Sequence, residues 1–188
     1  GQKYTEPEGL SIEGDWSNAA ALEAFNFTGG SVKVTGLNNS SIQGDRVCLE
    51  YFERLKAPGA RLDISSCPDL GPVLFALCAA LGRGGVFTGT RRLRIKESDR
   101  VKSVCDLINS LGGNCTDCGE ELVIRGVGSL AGGECSSHGD HRIAMSAALA
   151  SCFCRNDVIL CGAEAVSKSY PEFWEDFRRL GGSFREIS

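Results

Sequence analysis

Apolar residues spaced three and four apart alternate along this chain with short β-branched runs, and the alternation occurs three times. Each copy opens on an aspartate. Gly14-Asp15-Trp16-Ser17 leads into an alanine-rich stretch, Pro68-Asp69-Leu70 into Val73-Leu74-Leu77-Cys78-Leu81, and Gly139-Asp140-His141 into Ile143-Ala144-Ala147-Ala148. The spacing predicts helices, with Asp as a preferred cap of the first turn. A β-branched run ending near a glycine follows each one: Ser31 to Gly36, Val86 to Gly89, and Val158 to Gly162. These predict strands. The separation from opening aspartate to closing glycine is nearly constant, which marks an internal repeat of roughly 50 to 70 residues.

A polar loop then leads each copy into a second amphipathic helix: Val47 to Leu55, Val101 to Leu111, and Phe173 to Leu180. Two of these close with Leu-Gly-Gly, at 111 to 113 and 180 to 182, where glycine suits the left-handed position just past a helix end. Further strands are expected at Leu122 to Arg125 and Ser183 to Ile187, within a two-strand segment from Leu111 to Val127 in the second copy. The first copy is short, since Leu55 reaches the strand-like Leu62-Asp63-Ile64 through Lys56-Ala57-Pro58-Gly59-Ala60 alone, so a hairpin is missing there. No flexible linker interrupts the chain. The expected fold is one α/β domain, residues 1–188, built of three βα sub-repeats.

Composition narrows the class. With 188 residues, 42% apolar and 23% charged, the chain falls in the range of one domain with a sizeable core, and two small domains are the less favoured split. A net charge of -4 argues against a nucleic-acid surface, which needs a basic stripe. No apolar run approaches the ~18 residues of a membrane span, and Gly1-Gln2-Lys3-Tyr4-Thr5 is not a signal peptide, so no membrane partner and a cytoplasmic location are expected. A start at Gly points to a trimmed product or an excised piece of a longer protein. The ten cysteines, Cys48, Cys78, Cys105, Cys152 and Cys161 among them, fall mostly in apolar periodic runs and read as reduced core residues. Cys115 and Cys118 form a single C-x-x-C with no second pair at zinc spacing, so no metal site is expected.

Local charge runs against the global balance. Arg91-Arg92-Leu93-Arg94 precedes Lys96-Glu97-Ser98-Asp99-Arg100, and a second mixed cluster follows at Gly139-Asp140-His141-Arg142. Cations with carboxylates among them describe a pocket for a small anion. Lys96, Glu97 and Arg100 stand at the mouth of a helix, where Ser98 or Asp99 can cap and free N–H groups favour an anion; the bland alternative is a solvated charge run. Arg142 can grip a phosphate or carboxylate, or pair with Asp140. Asp69 follows Ser65-Ser66-Cys67-Pro68 between a strand end and a helix start, where it is either a cap or a reactive group. Lys168 occupies the repeat position equivalent to Lys96. His138 and His141 lack the helical spacing of a zinc protease.

The motifs Ser66-Cys67-Pro68-Asp69, Arg94-Ile95-Lys96-Glu97-Ser98-Asp99-Arg100, Gly139-Asp140-His141-Arg142-Ile143-Ala144-Met145 and Lys168-Ser169-Tyr170-Pro171 occur here in the order of a known family. Together with Glu13-Gly14-Asp15-Trp16-Ser17 and Gln43-Gly44-Asp45, they make the chain resemble the 5-enolpyruvylshikimate-3-phosphate synthases over nearly its whole length. The resemblance implies the enolpyruvyl transferase fold, with helices packed inside and sheets outside. It implies transfer of the enolpyruvyl group of phosphoenolpyruvate to the 5-hydroxyl of shikimate 3-phosphate with release of phosphate, by addition and elimination and with no metal or organic cofactor. By motif, Asp69 takes the hydroxyl proton, and Glu97, expected to start neutral, exchanges one with the methylene carbon. Arg100, Arg142 and Lys168 are expected to hold phosphoenolpyruvate, and Lys96 the shikimate moiety. Arg92 stands where the family often has a polar shikimate contact.

The resemblance covers only the C-terminal one of the family's two domains, so the N-terminal domain is an expected partner and an isolated 188-residue piece is expected to have little or no turnover. Two rival readings stand beside it. One is a UDP-N-acetylglucosamine enolpyruvyl transferase, which fits the Lys-Glu-Ser-Asp-Arg motif less well. The other is a non-catalytic ligand-binding module that kept the fold, because fold alone does not fix function.

Overall fold

A computed structural model describes residues 3–5, 9 and 11–187; Gly1 and Gln2 of the start read above lie outside the described residues. The predicted helix pairs form. The first copy gives α1 (Trp16–Phe27) and α2 (Cys48–Arg54), the second α3 (Gly71–Leu81) and α4 (Arg100–Ser110), and the third α5 (His141–Ser151) and α6 (Phe173–Arg179). Strands β1 (Ala60–Asp63), β2 (Gly85–Thr88), β3 (Asn114–Asp117) and β4 (Glu121–Arg125) form one sheet in the order β1-β2-β4-β3, with β1 parallel to β2 and the other pairings antiparallel. Strands β5 (Gly133–Ser136) and β6 (Val158–Cys161) form a parallel pair.

Helix α3 is apolar on all sides and almost wholly buried, as suits a central element. It packs against α1, α4 and α5, while the four-stranded sheet crosses α3 and α4 and the β5-β6 pair crosses α4 and α5. Helices are inside and sheets outside. Alternation along the strands points Leu62, Phe87, Leu122 and Ile124 inward. The ring of Phe75 meets that of Phe87 edge-on at 4.7 Å, fastening α3 to β2. At both Leu-Gly-Gly sequences the predicted stop is present. Gly112 and Gly181 are left-handed, at φ 81° and 100°, and Gly113 and Gly182 donate back to the Ile108 and Phe177 carbonyls.

Several sequence expectations need correction. Residues 31–36 are not a strand, because the Asn26 side chain takes both backbone groups of Val32, donating to its carbonyl at 2.7 Å and accepting from its N–H at 2.5 Å. Residues 183–187 are not a strand either; Phe184 packs on Trp174 and lies beneath the Arg178 guanidinium. Strand β5 carries too little β-branched character to be read from sequence. Asp15 and Asp140 cap α1 and α5, but Asp69 caps nothing: it sits in a 3-10 turn, Pro68–Leu70, with Leu70 at the cap position of α3. Cys152 and Cys161 are exposed, since each lies at or beyond the edge of its element, whereas Cys48, Cys67, Cys78, Cys115 and Cys135 are buried.

Candidate functional site

The charged residues singled out in sequence meet where the helices begin. Asp99 caps α4 by accepting from the N–H groups of Val101 and Lys102, and Asp140 caps α5 by accepting from that of Arg142. The caps fix the first turn of each helix, so Arg100 and Arg142 project from neighbouring positive helix ends. The 3-10 turn over residues 68–70 brings Asp69 beside them, and a second 3-10 segment, Ala163–Lys168, brings Lys168. The four connections come from the second and third copies, and the packing of α3 against α4 and α5, with α5 against the 163–168 segment, makes them neighbours.

Arg100 is the hub. Its side chain is 1% exposed and donates to three carboxylates: Nε to Asp140 Oδ2 at 2.7 Å, Nη1 to Asp69 Oδ1 at 2.7 Å, and Nη2 to Glu97 Oε2 at 2.5 Å. A guanidinium has five donors in a rigid fork, and here the fork is taken up by protein carboxylates. In this arrangement Arg100 is engaged by these carboxylates, where the sequence reading expected it to hold an anion. Arg142 does not pair with the side chain of Asp140, because Arg100 occupies that carboxylate. Its guanidinium instead donates to Ser17 Oγ at 2.7 Å and to the Ser17 carbonyl at 3.2 Å, with Nε 3.9 Å from Asp69 Oδ1. Ser17 Oγ is in turn 2.8 Å from Asp15 Oδ1, so the first copy of the repeat orients a cation of the third.

Lys96 Nζ lies 3.1 Å from Asp69 Oδ1, and Lys168 Nζ lies 3.0 Å from Glu97 Oε1. Lys168 is 54% exposed, unlike the buried Arg100. Burial alone would push the Glu97 carboxyl up, but the hydrogen bond from Lys168 and the charge of Arg100 outweigh it and hold the group down to about 2. This arrangement favours the ionised form of Glu97, where the sequence reading expected a neutral acid at the start of the reaction. Burial likewise raises Asp69, and Arg142, Lys96 and Arg100 together bring it below its ordinary value. Arg92 is at the edge of the group and exposed, with Nη1 3.5 Å from the Ser65 carbonyl. Arg94 is turned away onto Asp117 and the Gly119 carbonyl.

Three members of the cluster were not singled out in sequence as site residues. Asp140 and Asp15 were read as caps, and they are; what sequence could not supply is that each also holds a cation or its hydroxyl support. Asp45, in the 3-10 turn Gly44–Val47, is pushed up to about 6 by burial, by Asp69 and by Asp15, against the opposing charges of Arg142 and Lys96. The Gly44-Asp45 pair in the sequence was the available signal. Gly44 permits the close approach, since a side chain there would begin 2.6 Å from the Ser66 carbonyl.

The cluster forms an open face. A concavity of about 620 Å³ bounded by Trp16, Ser41, Gln43, Gly44 and Arg46, and one of about 290 Å³ bounded by Asp15, Asn18, Ser169 and Tyr170, lie along its border without containing Asp69, Lys96, Glu97 or Arg142. Among the described residues no group of three or more His, Cys, Asp or Glu is arranged to hold a metal ion. Cys118 is exposed while Cys115 points into the core, so the C-x-x-C pair does not converge. His141 is buried and held below its ordinary value, first by burial and then by Arg142. No helix among the described residues is long and apolar enough to cross a membrane.

A model of the EPSP synthase (3-phosphoshikimate 1-carboxyvinyltransferase) family matches residues 1–177. The 3-phosphoshikimate 1-carboxyvinyltransferase of Clostridium perfringens (strain 13 / Type A) is 40% identical over 204 aligned residues, which cover 99% of this chain and 48% of that protein. The protein of the same description from Clostridium kluyveri is 38% identical over 203 residues, covering 100% of this chain and 47% of its own. Among solved structures, an EPSP synthase from Acinetobacter baumannii superposes with a TM-score of 0.59 at 26% identity, over 90% of this chain and 40% of that one. The chain spans about half the length of the curated relatives it matches.

Proposed function

The chain belongs to the EPSP synthase (3-phosphoshikimate 1-carboxyvinyltransferase) family, and from that premise we propose that it forms one wall of a site transferring the enolpyruvyl group of phosphoenolpyruvate to the 5-hydroxyl of shikimate 3-phosphate. The observation that carries the reading is convergence: Asp69, Lys96 and Glu97 of the second repeat and Arg142 and Lys168 of the third share one face, with Ser17 of the first holding Arg142. The site is completed by the remaining half of the protein, the N-terminal domain in this reading. Both substrates are anions, and the cations on this face are placed to offset their charge and stabilise phosphate as it leaves.

Asp69 is the group assigned to take the proton from the attacking hydroxyl. It is ionised, and Lys96 at 3.1 Å favours the charge that develops beside it. Glu97 is assigned the proton exchange with the methylene carbon, and its low value in this arrangement gives that role a condition. When Lys168 leaves Glu97 for the phosphate or carboxylate of phosphoenolpyruvate, Glu97 loses the hydrogen bond that most favours its charged form and gains an anion nearby. Both changes raise its affinity for a proton. Arg142, held by Ser17, is the fixed part of the grip and Lys168 the movable part. Arg100 stands behind them, holding the three carboxylates at their spacing.

Release of inorganic phosphate from phosphoenolpyruvate in the presence of shikimate 3-phosphate, measured with this chain alone and with the remaining half supplied separately, tests the proposal. Little or no turnover alone and a gain on adding the other half are expected. Turnover by the chain alone at the rate of an intact two-part relative would show that no second wall is needed.

A further inference from the structure

Away from the charged face, two free thiols approach closely where α4 lies on β3. Cys105 Sγ and Cys115 Sγ are 3.2 Å apart. The contact is braced by the backbone. Asn109, one helical turn after Cys105, donates from Nδ2 to the Cys115 carbonyl at 2.9 Å and accepts at Oδ1 from the Cys115 N–H at 2.8 Å. Both main-chain groups of Cys115 are thus clamped to the face of α4 that carries Cys105, and the sulfurs stand little more than ~1 Å beyond the ~2.05 Å of a bond.

We propose that Cys105 and Cys115 form a two-thiol oxidation site that closes to an intramolecular disulfide when the protein meets a peroxide. The two sulfurs are unequal. Cys105 is partly exposed whereas Cys115 is buried. The contact with Cys115 holds the Cys105 thiol below its ordinary value against the opposing effect of burial, while the same contact and burial push the Cys115 thiol up. Cys105 is accordingly the attacking thiolate. It takes the terminal oxygen of hydrogen peroxide, the O–O bond breaks, and the departing hydroxide takes up a proton as water. Cys115 then displaces hydroxide from the sulfenic acid of Cys105 and gives up its proton, so that a second water leaves and the S–S bond forms. Two thiols are oxidised and one peroxide is reduced. The bond fixes the middle of α4 to β3, and the first turn of the same helix carries Arg100.

The test is peroxide treatment of the reduced chain, alkylation of the remaining thiols, and cleavage before aspartate. Cleavage before Asp99, Asp106 and Asp117 separates Cys105, Cys115 and Cys118 onto different fragments. Fragments 99–105 and 106–116 joined together, lighter by two hydrogens and separated again by dithiothreitol, are expected. In Cys115→Ser, a sulfenic acid on Cys105 that reacts with dimedone is expected instead. Oxidation confined to the exposed Cys118, Cys152 and Cys161, or fragment 106–116 recovered alkylated after peroxide is consumed, would overturn the proposal. The wild-type map decides this without the variant.

Discussion

The guanidinium Nε of Arg100 donates to Asp140 Oδ2 at 2.7 Å, and the two side chains are 1% and 0% exposed. One comes from the start of α4 and the other from the cap of α5, so this pair joins the second and third copies of the repeat. Removing one partner of a buried ion pair strands the other charge, at a cost of about 3–5 kcal/mol. Asp140→Asn separates that effect from capping, because Asn still caps a helix. It is expected to destabilise the chain by about 3 kcal/mol in urea unfolding. A change no larger than a lost cap, ~1 kcal/mol, would reduce Asp140 to its local role.

Stability should depend on pH through Glu97. Its carboxyl is held near 2 against an ordinary value of 4.5, so it binds protons less readily folded than unfolded. The stabilisation is complete above pH 4.5 and disappears as pH falls toward 2. Wild type is expected to lose urea stability over that window more steeply than Glu97→Gln, and parallel curves for the two proteins would be incompatible with the Lys168 and Arg100 partnership.

Asp45 should act in the opposite sense. With its folded value raised to about 6 from 3.8, the folded protein holds this proton more tightly than the unfolded chain, and stability contributed by Asp45 is lost as pH rises from 3.8 through 6. Asp45→Asn is expected to stabilise at pH 7 by about 1–2 kcal/mol, the full shift being discounted for partial exposure. The gain should vanish below pH 4. Thermal unfolding at the two pH values measures it.

Binding of phosphoenolpyruvate should distinguish Arg142 from Arg92. Arg142 is braced by Ser17 and lies within 3.9 Å of Asp69, while Arg92 is peripheral. Loss of a charge-assisted contact costs about 1.5–3 kcal/mol, a weakening of roughly ten- to a hundredfold. Arg142→Ala is expected to show it in NMR titrations, with Ser17→Ala weaker in effect and Arg92→Ala near wild type. Identical titrations for Arg142→Ala and wild type would remove Arg142 from the proposed grip.

Much of this architecture was legible because its causes are local. Asp15, Asp99 and Asp140 cap helices through their own first turns, and Gly112 and Gly181 end helices through bonds spanning a few residues. The strand misread at 31–36 shows the limit. Val32 has strand propensity, but Asn26 satisfies its backbone from six residues away, and propensity carries no information about that competitor. Asp69 shared the sequence pattern of a cap and was none, because Pro68 starts a 3-10 turn one residue earlier.

The sequence by itself determined the three-copy plan, the helix ends and the chemical types available at each loop, since periodicity, caps and turns act over a few residues. Tertiary structure alone decided which charges meet. A side chain's partner and ionisation depend on distances across packed helices, and those distances placed Arg100 among three carboxylates, turned Arg142 to Ser17 and left Glu97 ionised under Lys168.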